Sequence, residues 1–123
     1  MRAWLGSIMA GVPHRNERLA DQIRGEIAAM IATELGDPRI GFATVTRVEL
    51  SADLQHARVR VSVLGDDSAQ QGTLAGLSSA AGYIRREISR RLRLRRTPQI
   101  MFILDHGPEE GIRLEKLLQN LHK

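Results

Sequence analysis

Cysteine is absent from this 123-residue chain. There is no disulfide, no thiolate nucleophile and no Cys-based metal site, which agrees with a reducing cytoplasm. Aromatic residues are almost as scarce: Trp4, Phe42, Tyr83 and Phe102 make up 3%. A module that stacks single-stranded bases on a sheet needs aromatics at exposed strand positions. Affinity for RNA would therefore come mainly from phosphate and shape contacts. The four histidines, His14, His56, His106 and His122, are scattered, and none has a partner at metal-ligand spacing. No serine sits in a nucleophile elbow. Gly72 and Gly76 stand four apart and give no phosphate-cradling loop. Asp66-Asp67 and Glu109-Glu110 are adjacent carboxylates in turn and cap contexts, and adjacent side chains point apart. Without those constellations no catalysis, metal, cofactor or small-molecule substrate is expected. Long apolar runs are also missing. The opening MRAWLGSIMAGVP is too short and Gly-broken for a membrane span, and poor as a signal sequence. Residues 1–13 are expected to be a flexible extension that folding does not need.

What the chain has in excess is arginine, in one place. Residues 74–96 read LAGLSSAAGYIRREISRRLRLRR. Leu74, Leu77, Ala81, Ile84, Ile88 and Leu92 recur mostly three or four apart, a single helical stripe. Residues 85–96 hold seven arginines against one glutamate, a local excess of six in a chain of net charge +4. The remainder therefore sums to −2, and the positive charge is local. Arginine rather than lysine fits bidentate phosphate contact. At about 100° per residue, Arg86, Arg90 and Arg93 fall opposite the stripe with Tyr83 beside them, and Arg85 and Arg91 lie on its flanks. Arg86, Arg90 and Arg93 are expected to act together on phosphates. A solvated surface is the ordinary fate of a charge run, but this concentration points to a nucleic-acid surface.

The rest of the chain is long enough for one domain with one modest core. A helix is predicted from about Asn16, as N-cap, to Leu35, with Leu19, Ile23, Ile27, Met30 and Ile31 on one face and Gly36 as its stop. The period then changes to two. Phe42, Thr44, Thr46, Val48 and Leu50 share one predicted strand face. Ala57, Val59, Val61 and Val63 share the next, with Arg58, Arg60 and Ser62 opposite. Ser51-Ala52-Asp53 supplies turn chemistry, and Ser68 is the predicted cap of the next helix. Thr97-Pro98 ends the arginine helix. Gln99 to Asp105, apolar on both faces, suits a buried strand. Glu109, Glu110 and the leucines 114, 117, 118 and 121 predict a short last helix. The fold class is α+β, with helices on one face of a small sheet. The small run Ser78-Ser79-Ala80-Ala81-Gly82 lies in mid-helix. It predicts either a kink or close helix–sheet packing, and composition leaves both open.

At these residues the chain resembles the ribosome-binding factor A family. Ala80-Ala81-Gly82-Tyr83-Ile84-Arg85 is similar to that family's Ala-x-Gly kink followed by an aromatic, an aliphatic and an arginine. Arg15 and Arg18, Asp37-Pro38-Arg39-Ile40-Gly41, the run from Val45 to Leu54, Ala57-Arg58-Val59, Leu92-Arg93-Leu94-Arg95, Pro98, Phe102, Asp105 and Glu110-Gly111 continue the likeness in order. The resemblance implies one KH-like domain of type II topology over residues 14–123, α-β-β-α-kink-α-β with a short C-terminal helix. It implies a cytoplasmic, monomeric assembly factor, not an enzyme. Such a factor binds the small (30S) ribosomal subunit and its 16S rRNA in late maturation, including 5′-end processing, and supports growth in the cold. By the same resemblance the kink at Ala80, Ala81 and Gly82 faces RNA, together with Tyr83, Arg85, Arg86, Arg90, Arg93 and Arg96. The alternative from another class is a protein-interaction adaptor whose basic face meets an acidic protein.

Overall fold

An apolar stripe of helical period organises the first element. In the computed structural model, which describes residues 14–105, α1 spans His14–Thr33. Its Ile23, Ile27 and Met30 are fully buried, as their spacing of four and three requires. The helix starts before Asn16, so Asn16 is not the N-cap; it lies buried inside the first turn. Nor is Gly36 a left-handed stop. Among the described residues only Leu54, Gly65 and Arg93 have positive φ. The N–H groups of Glu34 and Leu35 both donate to the Met30 carbonyl, at 2.8 and 3.0 Å, and close the helix.

β1 (Ala43–Leu50) and β2 (His56–Val63) pair antiparallel, and β3 (Gln99–Leu104) adds to β2 in parallel, in the order β1-β2-β3. β2 alternates simply: Ala57, Val59 and Val61 are fully buried, and Arg58 and Arg60 stand half-buried opposite. β1 corrects the predicted face. Its buried residues are Val45, Val48 and Leu50, because the register shifts between Val45 and Arg47. The extra residue of this bulge reverses the alternation. Phe42 is left 83% exposed, and Thr44 and Thr46 also face solvent. Thr46 Oγ1 donates to Asp105 Oδ2 at 2.7 Å, which ties the bulge to the chain leaving β3. β3 also departs from a strand buried on both faces. Helices cover one face of the sheet, so Phe102 is buried and Met101 is 62% exposed.

The hairpin turn uses the predicted polar residues. Ser51 Oγ donates to Asp53 Oδ1 at 2.6 Å and accepts from the His56 N–H at 3.1 Å, while Asp53 Oδ1 also accepts from the Gln55 N–H. These bonds to its carboxylate hold Asp53 below the usual acid range.

α2 spans Asp67–Ser79, and its cap is Asp66 rather than Ser68. Asp66 Oδ1 accepts from the Ala69 N–H at 2.8 Å, and Ser68 lies inside the first turn. α3 (Ala81–Leu92) begins after one non-helical residue, Ala80, at φ −84° and ψ −4°. The Ala80 N–H still donates backwards to the Gly76 and Leu77 carbonyls, and its own carbonyl accepts from Ile84 at 2.9 Å. Leu77 of α2 and Ile84 and Ile88 of α3 enter the same core. A straight helix over 67–92 would run roughly 40 Å at 1.5 Å per residue, far past a sheet with strands of six to eight residues.

Close packing by small residues occurs as well, one turn earlier. The segment from Asp37 to Gly41 crosses α2 at Gly72 and Gly76. Thr73 Oγ1, fully buried, accepts from the Gly41 N–H at 3.1 Å and donates to the Arg39 carbonyl at 3.3 Å. A Cβ at Gly76 would lie 2.7 Å from Ile40 Cγ1. Arg39 donates to Asp37 and to Ser79 Oγ, and that guanidinium holds the Asp37 carboxyl at about 2. Gly82 has no such role: a Cβ there would meet only Arg86 Nη1, at 3.8 Å. Nor does Gly82, inside α3, take a left-handed backbone, so neither space nor backbone conformation demands glycine there. The element order α-β-β-α-α-β is mixed α+β and consistent with a KH-like domain of type II. The predicted C-terminal helix and the extension 1–13 lie outside the described residues.

Two glycine substitutions separate these roles. Gly76→Ala should lower unfolding free energy by about 1–3 kcal/mol, as overpacking does. Gly82→Ala should change it by less than about 0.5 kcal/mol. Urea denaturation measures both; because alanine alone favours a helix interior over glycine by about 1 kcal/mol, a Gly76→Ala that stabilises by that amount would disprove the crossing contact.

Candidate nucleic-acid interface

α3 is anchored by Ile84 and Ile88, both fully buried one turn apart. With that stripe fixed, about 100° per residue divides the remaining positions between two flanks. Gly82, Arg85, Arg86 and Ser89 take one. Tyr83, Glu87, Arg90 and Arg91 take the other.

The first flank walls an open depression of about 1110 Å³. Arg95, Arg96 and Thr97, from the loop after α3, form a second border, and Gln99 with the hairpin turn from Asp53 to His56 completes it. Four arginines thus converge from two segments. Arg85 is partly engaged: its Nε and Nη2 donate to the Thr97 carbonyl at 3.2 and 2.9 Å. Arg86, Arg95 and Arg96 are exposed and, among the described residues, make no hydrogen bond or ion pair. Guanidinium forks left with free donors suit phosphate oxygens.

The second flank is an ion-pair network that ties α3 to α1. Tyr83 Oη donates to Glu34 Oε1 at 2.9 Å. Arg91 Nη2 bonds the same Glu34 oxygen in a short contact and lies 3.2 Å from Glu87 Oε1, while Nη1 lies 3.3 Å from Glu26 Oε2. Arg90 Nη2 lies 2.7 Å from Glu87 Oε1. The hydrogen bonds from Arg91 and Tyr83 hold the Glu34 carboxyl below its ordinary range, and Arg90 does the same for Glu87. Glu34 in turn raises the Tyr83 phenol and the Arg91 guanidinium.

Of the sequence-selected residues, the depression gathers Gly82, Arg85, Arg86 and Arg96. It leaves out Tyr83 and Arg90, which are engaged with Glu34, just past α1, and with Glu87 of α3. Arg93 is also outside the lining. It caps α3 in the left-handed region, φ 52° and ψ 48°, a position where glycine is usual. The stripe of Arg86, Arg90 and Arg93 is therefore split in surroundings. Arg95 was visible in the basic run but not as a groove residue, because helical geometry says nothing about a side chain past the helix end. The wall from Asp53 to His56 carried no sequence signal; it arrives through the sheet register, His56 pairing with Gln99. Among the described residues no group of three or more His, Asp or Glu could hold a metal ion, and no helix is long and apolar enough to cross a membrane.

These features define an α+β, KH-like domain with an arginine-lined groove. The model of the family described as Ribosome-binding factor A matches residues 15–118, and the chain belongs to that family. It is 43% identical over 109 residues to the ribosome-binding factor A of Desulforamulus reducens, covering 89% of this chain and 91% of the relative. To that of Heliobacterium modesticaldum it is 43% identical over 113 residues, covering 92% of each. The fold is similar to the crystal structure of ribosome-binding factor A from Thermus thermophilus, with TM-score 0.66 and 31% identity over 75% of this chain and 98% of that one. It is also similar to a Thermus thermophilus homology model of the factor fitted into a cryo-EM map of a 30S–RbfA complex, with TM-score 0.58 and 32% identity over 68% of this chain and 88% of that one.

The network on the second flank has a pH signature. Glu34 and Glu87 titrate lower in the folded chain than in the unfolded one, so they add stability above their ordinary range near pH 4.5 and lose it as pH falls. Arg91→Ala should lower the thermal midpoint at neutral pH and flatten its decline on acidification. A midpoint-versus-pH curve parallel to that of the parent chain would rule the network out as a source of stability.

Proposed function

We propose that this chain is a non-catalytic binding factor for the small (30S) ribosomal subunit, contacting 16S rRNA through the arginine-lined groove. The observation that carries this is the convergence of Arg85, Arg86, Arg95 and Arg96 on one depression, with three of the four lacking any intramolecular partner among the described residues. Family membership and the Thermus thermophilus 30S–RbfA complex support the choice of partner. In this proposal Arg86, Arg95 and Arg96 contact phosphates directly. Tyr83 and Arg90, already bonded to Glu34 and Glu87, contribute little, and Arg93 sits beside the groove. The break at Ala80, with Ala81 and Gly82 opening α3, leaves room for a backbone to approach. The wider role is late 16S maturation, including its 5′ end, with importance in the cold. The factor works as a cytoplasmic monomer.

Co-sedimentation with purified 30S subunits at several salt concentrations tests the groove. The triple variant Arg86→Glu, Arg95→Glu, Arg96→Glu should lose subunit binding while its unfolding changes by only about 0.5 kcal/mol per exposed site. The corresponding alanine variant should reduce the log–log salt slope by roughly 0.7–0.9 for each phosphate contact removed. Undiminished binding of the glutamate variant would place the RNA surface elsewhere. A shallow salt slope in the parent chain would favour an adaptor for an acidic protein.

A further inference from the structure

Arg95 and Arg96 of the second groove border, which have no partner among the described residues, lie on a loop that is held at both ends by the groove flank of α3. At its start, the N–H groups of Arg93 and Leu94 both donate to the Ser89 carbonyl, and Ser89 Oγ donates to the Leu94 carbonyl at 3.4 Å. Arg93 takes a left-handed backbone to make this turn, although it is not glycine. At its end, the Thr97 carbonyl accepts two bonds from the single Arg85 guanidinium, and Pro98 is buried. Only Arg95 and Arg96 project between these anchors.

We infer that Arg85 is a positioning residue: its fork on the Thr97 carbonyl presets the loop that presents Arg95 and Arg96 to phosphate. This inference rests on the proposed groove. Three features of the geometry support it. Arg85 spends two of its donors inside the molecule, whereas Arg86, one residue on, spends none among the described residues. The accepting atom is a backbone carbonyl, so the bond orders the main chain rather than another charge. Without the fork the loop keeps its Ser89 anchor and buried Pro98 but loses the tie at Thr97, and ordering long side chains on binding subtracts from affinity. Lysine cannot replace the fork, because its ammonium is a point donor on a flexible stem.

The test is a charge-preserving substitution in a double-mutant cycle. Affinity for purified 30S subunits is measured for the full chain, Arg85→Lys, Arg95→Ala/Arg96→Ala, and the combination. Arg85→Lys keeps the charge, so a direct phosphate contact would survive it. A positioning residue should instead weaken binding roughly fivefold to tenfold, the scale of losing a preset loop. That loss should vanish when Arg95 and Arg96 are already alanine. Amide exchange at Leu94 and Gln99, whose N–H groups are bonded at the two ends of the loop, should quicken in Arg85→Lys, with the exchange of Val59 and Ile88 unchanged. Wild-type affinity of Arg85→Lys, or a loss that persists in the alanine background, would overturn the inference. If Arg95→Ala/Arg96→Ala itself leaves binding intact, the proposed groove fails rather than the clip alone.

Discussion

The burial of Ile84 and Ile88 against the sheet is the constraint on which the functional side depends. These two residues set the rotation of α3 about its own axis. Once that rotation is set, every arginine of the helix is assigned a neighbourhood, since side chains on a helix cannot be turned independently. The break at Ala80 serves the same constraint. It allows α2 and α3 to seat Leu77 and the two isoleucines in one core over a sheet too short for a straight helix.

The consequence is that a run of seven arginines does several different jobs. Arg91 is the cation of a half-buried network with Glu26, Glu34 and Glu87 and fastens α3 to α1. Arg90 shares Glu87. Arg93 turns the chain at the end of the helix. Arg85 bonds a backbone carbonyl. Arg86, Arg95 and Arg96 remain with free donors toward solvent among the described residues. Net charge alone would overcount the binding surface: exposed ion pairs add little stability each, but each one occupies donors that a phosphate would need.

Small residues divide their work in the same way. Gly76 is required where the segment from Asp37 to Gly41 crosses α2, and the clamp of Thr73, Asp37 and Arg39 surrounds that crossing. The break falls four residues later, at Ala80. The small run itself interrupts the helix at Ala80, while the close contact lies outside it, at Gly76, and meets the segment from Asp37 to Gly41 rather than the sheet.

The order of elements, the buried stripes of α1, β2 and α3, and the concentration of positive charge were determined by the sequence itself, because helical and strand periodicities are local and need no partner. The polar hairpin turn at Ser51 and Asp53 was legible for the same reason. Tertiary structure decided the rest. The bulge at Val45–Arg47 inverted half of β1, and one-sided cover by helices exposed Met101. Above all, which arginines stay free depends on acids far away in the chain. Glu34 and Glu26 meet Arg91 across 57 and 65 residues, and the hairpin wall reaches the groove through the pairing of His56 with Gln99. A helical projection gives the direction of a side chain from its own axis, but only the packing of other elements determines what waits there.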